Sequence, residues 1–240
     1  MMGEKKLGLS GSTLKMIALM IMFVDHIGAV IVQRTMIMPG FDHDFWSSLY
    51  MPIRYVGRLA FPIFCFLLVE GFLHTSSVKK YLRGMVLFAL ISEIPFNLGI
   101  AGKLFSLEYQ NVFWELAFGI AAMYCFERIE KKKAGYLIQV LFRIGVIIVF
   151  AALAEAFNLD YGMYGIISIV ALYAFRQNRL MQLLVGALTF YWEPVAPLAF
   201  LLIALYNGKR GKNIKYAFYV FYPTHLLLLY AIARIIGCRY

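Results

Sequence analysis

Charged residues are scarce in this sequence. Asp, Glu, Lys and Arg make up 15% of its 240 residues, while 62% of the residues are hydrophobic and the mean hydropathy is +0.75. An average soluble domain is about 25% charged and about half apolar. This deficit excludes an ordinary soluble domain with one buried core, and it indicates that most of the chain is suited to a lipid bilayer.

Cysteine is also rare, and its positions exclude two kinds of site. Cys65 and Cys125 lie in apolar runs, and Cys238 lies near the C-terminus. No pair has the C-x-x-C spacing of a metal or redox site, and three cysteines do not suggest a disulfide framework. The DHDF run at 42–45 has two carboxylates and an imidazole, but a solvated outer loop explains it better than a metal site. We therefore expect no metal.

Acidic residues are fewer than basic ones. The chain has 13 Asp and Glu against 23 Lys and Arg, which gives a net charge of +10. In a soluble protein this excess would suggest nucleic-acid binding. In a membrane protein Lys and Arg collect in cytoplasmic loops, so we expect a lipid bilayer and no nucleic acid as partner.

Nine apolar segments divide the chain, with connections too short to hold a soluble domain. The basic N-terminus resembles a signal peptide, but the run after it spans about 20 residues and lacks a small-x-small cleavage site, which favours a retained helix. We predict an all-α, polytopic bundle of about nine transmembrane helices, with 1–13 as a cytoplasmic segment and 14–240 as one transmembrane domain. The segments between 162 and 206 are short for upright spans. The nine segments are 14–34, 55–73, 81–98, 111–127, 136–157, 162–175, 180–192, 194–206 and 214–236.

Basic connections alternate with mixed or acidic ones along the chain. The connections GEKK, TSSVKKYLR, ERIEKKKAG, RQNR and NGKRGKN are basic, whereas those between them are mixed or acidic and carry aromatic residues. Because cytoplasmic loops carry the excess of Lys and Arg, the N-terminus is predicted to be cytoplasmic and the C-terminus outside. The unbroken alternation supports nine segments, since a missed helix would invert every later loop.

Polar side chains nevertheless occur within the apolar segments and at their outer ends. An ionisable group left in lipid costs about 3 kcal/mol or more, so such groups face a bundle interior or a water-filled cavity. Most of these residues fall near the midplane or in the outer half. We therefore predict an outward-opening acidic cavity that contains arginine and has two histidines near its floor. The residues are Asp25, His26, Arg54, Arg58, Glu93, Asn97, Asn111, Glu115, Glu155, Asn158, Asp160, Glu193 and His225.

These residues also have plainer interpretations. Glu93, Asn97, Asn111 and Glu115 can join helices through hydrogen bonds. Arg58 can reach along the helix to the membrane interface. Asp25 and His26 can form a structural pair, although an imidazole near the midplane can change protonation near neutral pH, which favours a chemical role.

Lys15 and His26 have a spacing that suits a long ligand. They are eleven residues apart, close to three helical turns, so they share one face and are separated by about 16 Å along the axis. Lys15 would lie at the cytoplasmic surface and His26 near the midplane. An anionic cofactor such as a coenzyme A thioester could meet Lys15 with its phosphates and His26 with its reactive end.

Six motifs in this order resemble the TraX family over roughly residues 14 to 230. They are LKMIALMIMFVDHIGAVI, IRYVGRLAFPIFCFLLVEGFLHT, YLRGMVLFALISEIPFNL, NVFWELAFGI, DYGMYGIISI and FYVFYPTHLLLL. The founding member of that family is a polytopic inner-membrane protein that acetylates the N-terminus of conjugative F pilin. The resemblance implies a bacterial cytoplasmic-membrane acyltransferase with acetyl-CoA as donor. A looser similarity links the chain to multipass acyltransferases that carry Arg, ten residues and then His in the first helix, where this chain has Lys15.

Acyl transfer from a thioester requires a base, a positive charge or donor for the oxyanion, and a means of aligning both substrates. We expect His26 to be the base, with Asp25 orienting an imidazole or serving Arg58, and Arg58 stabilising negative charge. His225 is the competing base or a second proton carrier. The expected substrate-binding residues are Arg54, Glu93, Asn97, Asn111, Glu115 and Tyr222, and those for the cofactor phosphates are Lys15, Lys79, Lys80 and Arg83.

The acceptor, the function class and the choice between direct transfer and a covalent acyl-His intermediate stay open at this point. The acceptor would be an amine or hydroxyl at the membrane or outer face, on a protein N-terminus, a glycan or a lipid-linked molecule. A small transporter or channel could use the same buried groups as a proton relay, although the sequence shows no inverted repeat. A non-catalytic assembly factor would leave Asp25 and His26 without a purpose.

Overall fold

The computed structural model describes residues 8–133, 135–212 and 215–238. Within these ranges the chain is helical and its only extended pairings are two isolated bridges, between Leu9 and Tyr206 and between Gln110 and Leu159. The predicted all-α bundle is therefore confirmed. Of the predicted N-terminal segment 1–13, residues 1–7 lie outside the described residues, and the first helix already begins at Gly11.

Eleven α-helices, with one π-helical turn and one 3-10 turn, make up the described bundle. The π-helical turn Gly28–Val32 follows α1, and the 3-10 turn Ala196–Leu198 precedes α10. The helices are α1 Gly11–Ile27, α2 Gln33–Thr35, α3 His43–Gly57, α4 Ala60–His74, α5 Val78–Ala101, α6 Val112–Glu130, α7 Tyr136–Ala156, α8 Gly162–Ala174, α9 Arg179–Thr189, α10 Ala199–Ala204 and α11 Lys215–Ile235.

Each predicted apolar segment corresponds to a helix, but one predicted connection is wrong. Residues 43–54 were expected to form an outer loop, whereas they belong to α3, which leads almost directly into α4. The Asp42 carboxylate caps α3 by accepting a hydrogen bond from the amide of Phe45 at 3.0 Å. An Asp just before a helix satisfies one of its unpaired amides, and this explains part of the DHDF run without a metal.

Five helical stretches of the described chain are long and apolar enough to cross a membrane. They are Gly11–Thr35, His43–His74, Val78–Ala101, Tyr136–Ala156 and Phe218–Ile235. The helices α8 and α9 are apolar but have only 13 and 11 residues. At about 1.5 Å per residue these two are shorter than a bilayer core of about 30 Å. Nine full crossings and their orientation remain predictions.

The helix α4 lies at the centre of the bundle, and α7 lies at its surface. Every residue from Ala60 to Phe66 is buried, as expected for a helix that is apolar on all sides. It packs against α1, α6, α8 and α10. By contrast, Ala154 is the one residue of α7 classed as buried, so nearly all of this apolar helix is available to lipid.

The two ends of the bundle differ in charge. We call the end at which α1 begins the basic end and the opposite end the far end. The described residues at the basic end include Lys79, Lys80, Arg83, Arg128, Lys131, Lys132, Lys133, Arg176, Arg179, Lys209, Arg210 and Lys212.

The π-helical turn Gly28–Val32 begins two residues after His26, on the stretch of chain that faces the far end. Arg34 donates hydrogen bonds to the carbonyls of Ala29 at 2.9 Å and Val30 at 3.0 Å, and to the carbonyl of Ile100 on α5. These bonds satisfy backbone groups of the widened turn and fix it to α5. Single π-turns are frequent at functional sites.

Candidate functional site

A cavity of about 470 Å³ opens within the far end of the bundle, and we call it the dyad cavity. It combines polar residues from α1, α2, α3 and α11, and from the connections before α6, before α8 and after α9, with an aromatic wall. The polar and charged residues are Asp25, His26, Gln33, Arg54, Arg58, Asp160, Glu193 and the hydroxyl-bearing Tyr50, Tyr109, Tyr161 and Tyr222; the other aromatic residues are Phe61, Phe64, Phe96 and Trp192. Six of the polar residues expected to converge therefore line this one cavity, namely Asp25, His26, Arg54, Arg58, Asp160 and Glu193.

The two histidines form a hydrogen-bonded dyad. Nδ1 of His26 lies 2.6 Å from Nε2 of His225, and Nδ1 of His225 lies 2.8 Å from the carbonyl oxygen of Phe221. A carbonyl only accepts, so Nδ1 of His225 carries a proton and Nε2 of a neutral His225 accepts. Nδ1 of His26 is then the donor, and the basic lone pair of the dyad lies on Nε2 of His26.

Aromatic packing holds the dyad in place. The ring of His225 is stacked between His26, at 4.9 Å and 20°, and Phe221, at 4.8 Å and 18°. Tyr222 meets His26 edge-on at 5.9 Å. His225 and Tyr222 are buried, while His26 is partly exposed and lines the cavity. His225 is therefore placed to orient His26, and His26 is the one that reaches a ligand.

The carboxylate of Asp25 pairs with Arg54 and not with the adjacent His26. Nη1 of Arg54 donates to Oδ2 of Asp25 at 2.6 Å, which agrees with the rotation of about 100° between adjacent helical residues. The other oxygen, Oδ1, is buried without a hydrogen-bond partner among the described residues. Gly57 faces this carboxylate, and a Cβ at position 57 would collide with it. The glycine thus lets α3 approach α1 at the level of the ion pair.

Among the described residues that line the dyad cavity, carboxylates outnumber guanidinium groups by one. Arg54 pairs with Asp25, and Nη1 of Arg58 lies 3.4 Å from Oε1 of Glu193. Asp160 lies in the same cavity, so three carboxylates face two guanidinium groups. The side chain of Asp160 is exposed to the interior of the cavity, where the surrounding protein separates it from bulk solvent. Burial, reinforced by the charge of Asp25, raises the pKa of Asp160 to about 6.

Four predicted substrate-binding residues lie outside the lining of the dyad cavity. Oε2 of Glu93 accepts hydrogen bonds from Asn111 at 2.5 Å and from Trp114 at 3.1 Å, and Asn97 donates to Oε1 at 3.4 Å. This network joins α5 to α6, so the plainer interpretation fits Glu93, Asn97 and Asn111 better. Glu115 is fully buried beside Gly165, and in the part of the chain that the structure describes neither of its oxygens has a hydrogen-bond partner.

A second cavity, of about 590 Å³, lies at the basic end. Lys15 lines it, together with His74, Tyr81, Arg210 and Lys212. We call it the basic-end cavity. Among the described residues of its lining, Glu70 supplies the one carboxylate, so the positively charged side chains outnumber the negative ones and the cavity suits an anion.

The predicted cofactor residues are only partly brought together. Lys15 is in the basic-end cavity, whereas Lys79, Lys80 and Arg83 are exposed on α5 and line neither cavity. Arg210 and Lys212 were not predicted for this role. The NGKRGKN connection was the signal available, but nothing in the sequence says that it folds over α1.

Residues 8–12 and 205–212 form a clamp that places Arg210 and Lys212. Leu9 and Gly11 donate to the carbonyls of Leu205 and Lys209, both at 2.8 Å, and the amide of Lys212 donates to Oγ of Ser12 at 3.0 Å. Gly211 has φ of +74°, and a Cβ there would collide with the Ser12 hydroxyl. Only glycine fits this turn without strain.

In residues 8–133, 135–212 and 215–238, no group of three or more His, Cys, Asp and Glu side chains is arranged so that it could hold a metal ion. His43 and Asp44 of the DHDF run are exposed, with Nδ1 and Oδ1 3.3 Å apart.

Comparison with known proteins agrees with the resemblance seen in the motifs. The chain is 29% identical over 257 aligned residues to a probable fimbrial assembly protein, FimC of serogroup H1, from Dichelobacter nodosus, covering 94% of this chain and 96% of that protein. No solved structure matches. The family described as TraX protein matches residues 10–233. This protein, with its histidine dyad at one end of a membrane helix bundle, therefore belongs to the TraX family.

Proposed function

We propose that this protein is an integral membrane acyltransferase. It transfers an acetyl group from cytosolic acetyl-CoA to an amine or hydroxyl of an acceptor at the membrane or at its outer face. The observation that carries the proposal is the His26–His225 dyad. Its hydrogen bonds leave a basic lone pair on a histidine that lines a polar cavity. A neutral imidazole with this arrangement suits general-base catalysis near neutral pH.

The reaction can be written with these residues. Nε2 of His26 removes a proton from the acceptor as its nitrogen or oxygen attacks the thioester carbon. The tetrahedral oxyanion is stabilised by Arg58, whose pair with Glu193 is long and leaves donors for another anion. Collapse breaks the carbon–sulfur bond, and the departing thiolate takes the proton from His26. His225 keeps Nδ1 of His26 protonated throughout.

The basic-end cavity is the proposed donor site. Lys15, Arg210 and Lys212 lie around it, and the dyad is about 16 Å along α1 from Lys15. Phosphates would bind at the basic end while the thioester extends toward the dyad. The distribution of Lys and Arg supports a cytosolic basic end, where acetyl-CoA is available.

The acceptor enters the dyad cavity in this proposal. With one carboxylate in excess, the cavity favours a cation, so an amine held as ammonium fits better than an acidic molecule. The ammonium releases one proton to solvent before it attacks, and His26 removes the next. The fimbrial name of the Dichelobacter relative supports an acceptor in the assembly of surface fibres.

The test uses purified protein in nanodiscs with acetyl-CoA and a short peptide that has a free N-terminus. The proposal expects release of CoA thiol together with N-acetylated peptide. It expects both to be abolished in His26→Ala and retained in His43→Ala, since His43 is exposed and remote from both cavities. Full activity of a folded His26→Ala protein would exclude His26 as the base, and a wild type that neither binds CoA nor releases thiol would favour the transporter.

A further inference from the structure

Phe64 stands between the two cavities. Among the described residues it alone lines both the dyad cavity and the basic-end cavity. It lies on the central helix α4 and is 6% exposed. A ligand that extends from one cavity into the other therefore has to pass this ring.

Phe64 forms an aromatic layer with Phe113 and Phe218 between the two cavities. The ring centroids of Phe64 and Phe218 are 5.3 Å apart, and those of Phe218 and Phe113 are 5.5 Å apart. On the basic side, Nζ of Lys15 lies 4.8 Å from the Phe218 ring. On the dyad side, Phe113 meets Tyr222 at 4.9 Å, and Tyr222 contacts His26. The layer thus connects the proposed phosphate site to the dyad.

We propose that Phe64 is a specificity residue that selects donors with a short acyl chain and limits the access of water to the thioester. This inference rests on the proposed function. The thioester carbon has to reach His26 from the basic-end cavity, so the acyl chain leads the donor past Phe64. Each added methylene then competes with the Phe64 ring and with the acceptor for the 470 Å³ of the dyad cavity.

Removal of the ring has two chemical consequences. A longer acyl chain gains the volume that the ring occupied. Water also gains access to the thioester, and its attack breaks the carbon–sulfur bond, forms a carbon–oxygen bond, and gives the free acid and the CoA thiol. One methylene in an apolar pocket changes specificity by about tenfold or more. The loss of a phenyl ring should therefore be readily measured.

The experiment compares acetyl-, butyryl- and hexanoyl-CoA with the peptide acceptor, and it measures acylated peptide and free acid separately. Phe64→Ala is expected to raise the hexanoyl-to-acetyl ratio of kcat/KM by about tenfold or more and to increase the fraction hydrolysed. Phe64→Leu should give a smaller change and Phe64→Trp the opposite change. Phe72→Ala is the matched control, because Phe72 is a buried phenylalanine of the same helix that lines neither cavity.

Three outcomes are decisive. Opposite shifts of the chain-length ratio in Phe64→Leu and Phe64→Trp would support the proposal even where Phe64→Ala does not fold. An active wild type with an unchanged ratio in the Phe64 variants, or with an equal shift in Phe72→Ala, would overturn the inference and leave the proposed function standing. A wild type that uses no acyl-CoA would overturn both.

Discussion

The division of labour in the dyad predicts how its two histidines respond to substitution. His225→Ala removes the acceptor for Nδ1 of His26 and the stacked ring that holds the imidazole. The tautomer and orientation that leave Nε2 of His26 basic then require an unpaired Nδ1 donor, which costs about 1 to 3 kcal/mol. At about 1.4 kcal/mol per factor of ten, kcat/KM should fall by about 5- to 150-fold.

The matched substitution His26→Ala removes the base itself. General-base catalysis contributes about 10²- to 10⁴-fold, so this loss should exceed that of His225→Ala. The double variant should be no slower than His26→Ala alone, because His225 then has no partner to orient, and residues that act as a unit are not additive. His225→Gln should recover part of the rate, since its amide oxygen can accept from Nδ1.

The assay is the rate of CoA-thiol release at saturating and limiting acceptor, with folding checked by the melting temperature in detergent. His43→Ala reports the effect of removing an unrelated imidazole. Two results would refute the reasoning. One is a larger loss in His225→Ala than in His26→Ala, which would make His225 the base. The other is additive losses in the double variant, which would mean that the two rings act independently.

Three further predictions concern the surroundings of the dyad. Gly57→Ala should push Asp25 away from Arg54 and lower the free energy of unfolding by about 1 to 3 kcal/mol. Gly145→Ala is the control, because Gly145 lies on the exposed helix α7 with open space at its Cβ, and it should leave the stability unchanged. Equal melting temperatures of the two variants would contradict this prediction. The pKa of Asp160 is raised to about 6, so its ionisation opposes folding. The stability of the wild type relative to Asp160→Asn should therefore fall as the pH rises from 4 to 6 and then level off. A difference in melting temperature between the two proteins that does not change with pH would refute the burial argument. Gly211→Ala should disrupt the clamp and weaken CoA binding without removing a charge. Gly40→Ala controls for backbone strain, because Gly40 also has a positive φ, of +89°, with open space at its Cβ, and it lines neither cavity; equal CoA affinity in both variants would show that the clamp does not place Arg210 and Lys212.

The sequence predicts the helices well, because apolar runs and their boundaries are local properties. It also identifies Asp25, His26, Arg58 and His225, since ionisable groups inside apolar helices are conspicuous. The helix α3 is missed because its polar start resembles a loop, and the N-cap role of Asp42 was not recognised. The spacing of Lys15 and His26 predicts one face of α1, and the structure places Lys15 in one cavity and His26 in the other.

Pairings between distant segments are harder to predict. Nothing local distinguishes Glu93, which is bound within the α5–α6 network, from Asp160, which faces the cavity. Likewise, Lys79 and Arg210 both lie in basic connections, and only the folding of residues 205–212 over α1 separates them. Which histidine orients the other also depends on two hydrogen bonds that no sequence pattern records.

The contacts that build both cavities join the two ends of the chain. His26 meets His225 across 199 residues, and Ser12 meets Lys212 across 200. A chain that leaves the ribosome from its N-terminus inserts α1 long before either partner has been made. Until then His26 lacks its partner, whereas the partner of Asp25, Arg54, follows only 29 residues later. A nascent or truncated chain without α11 therefore lacks the histidine dyad and part of the lining of both cavities, so these sites are completed only at the last stage of synthesis.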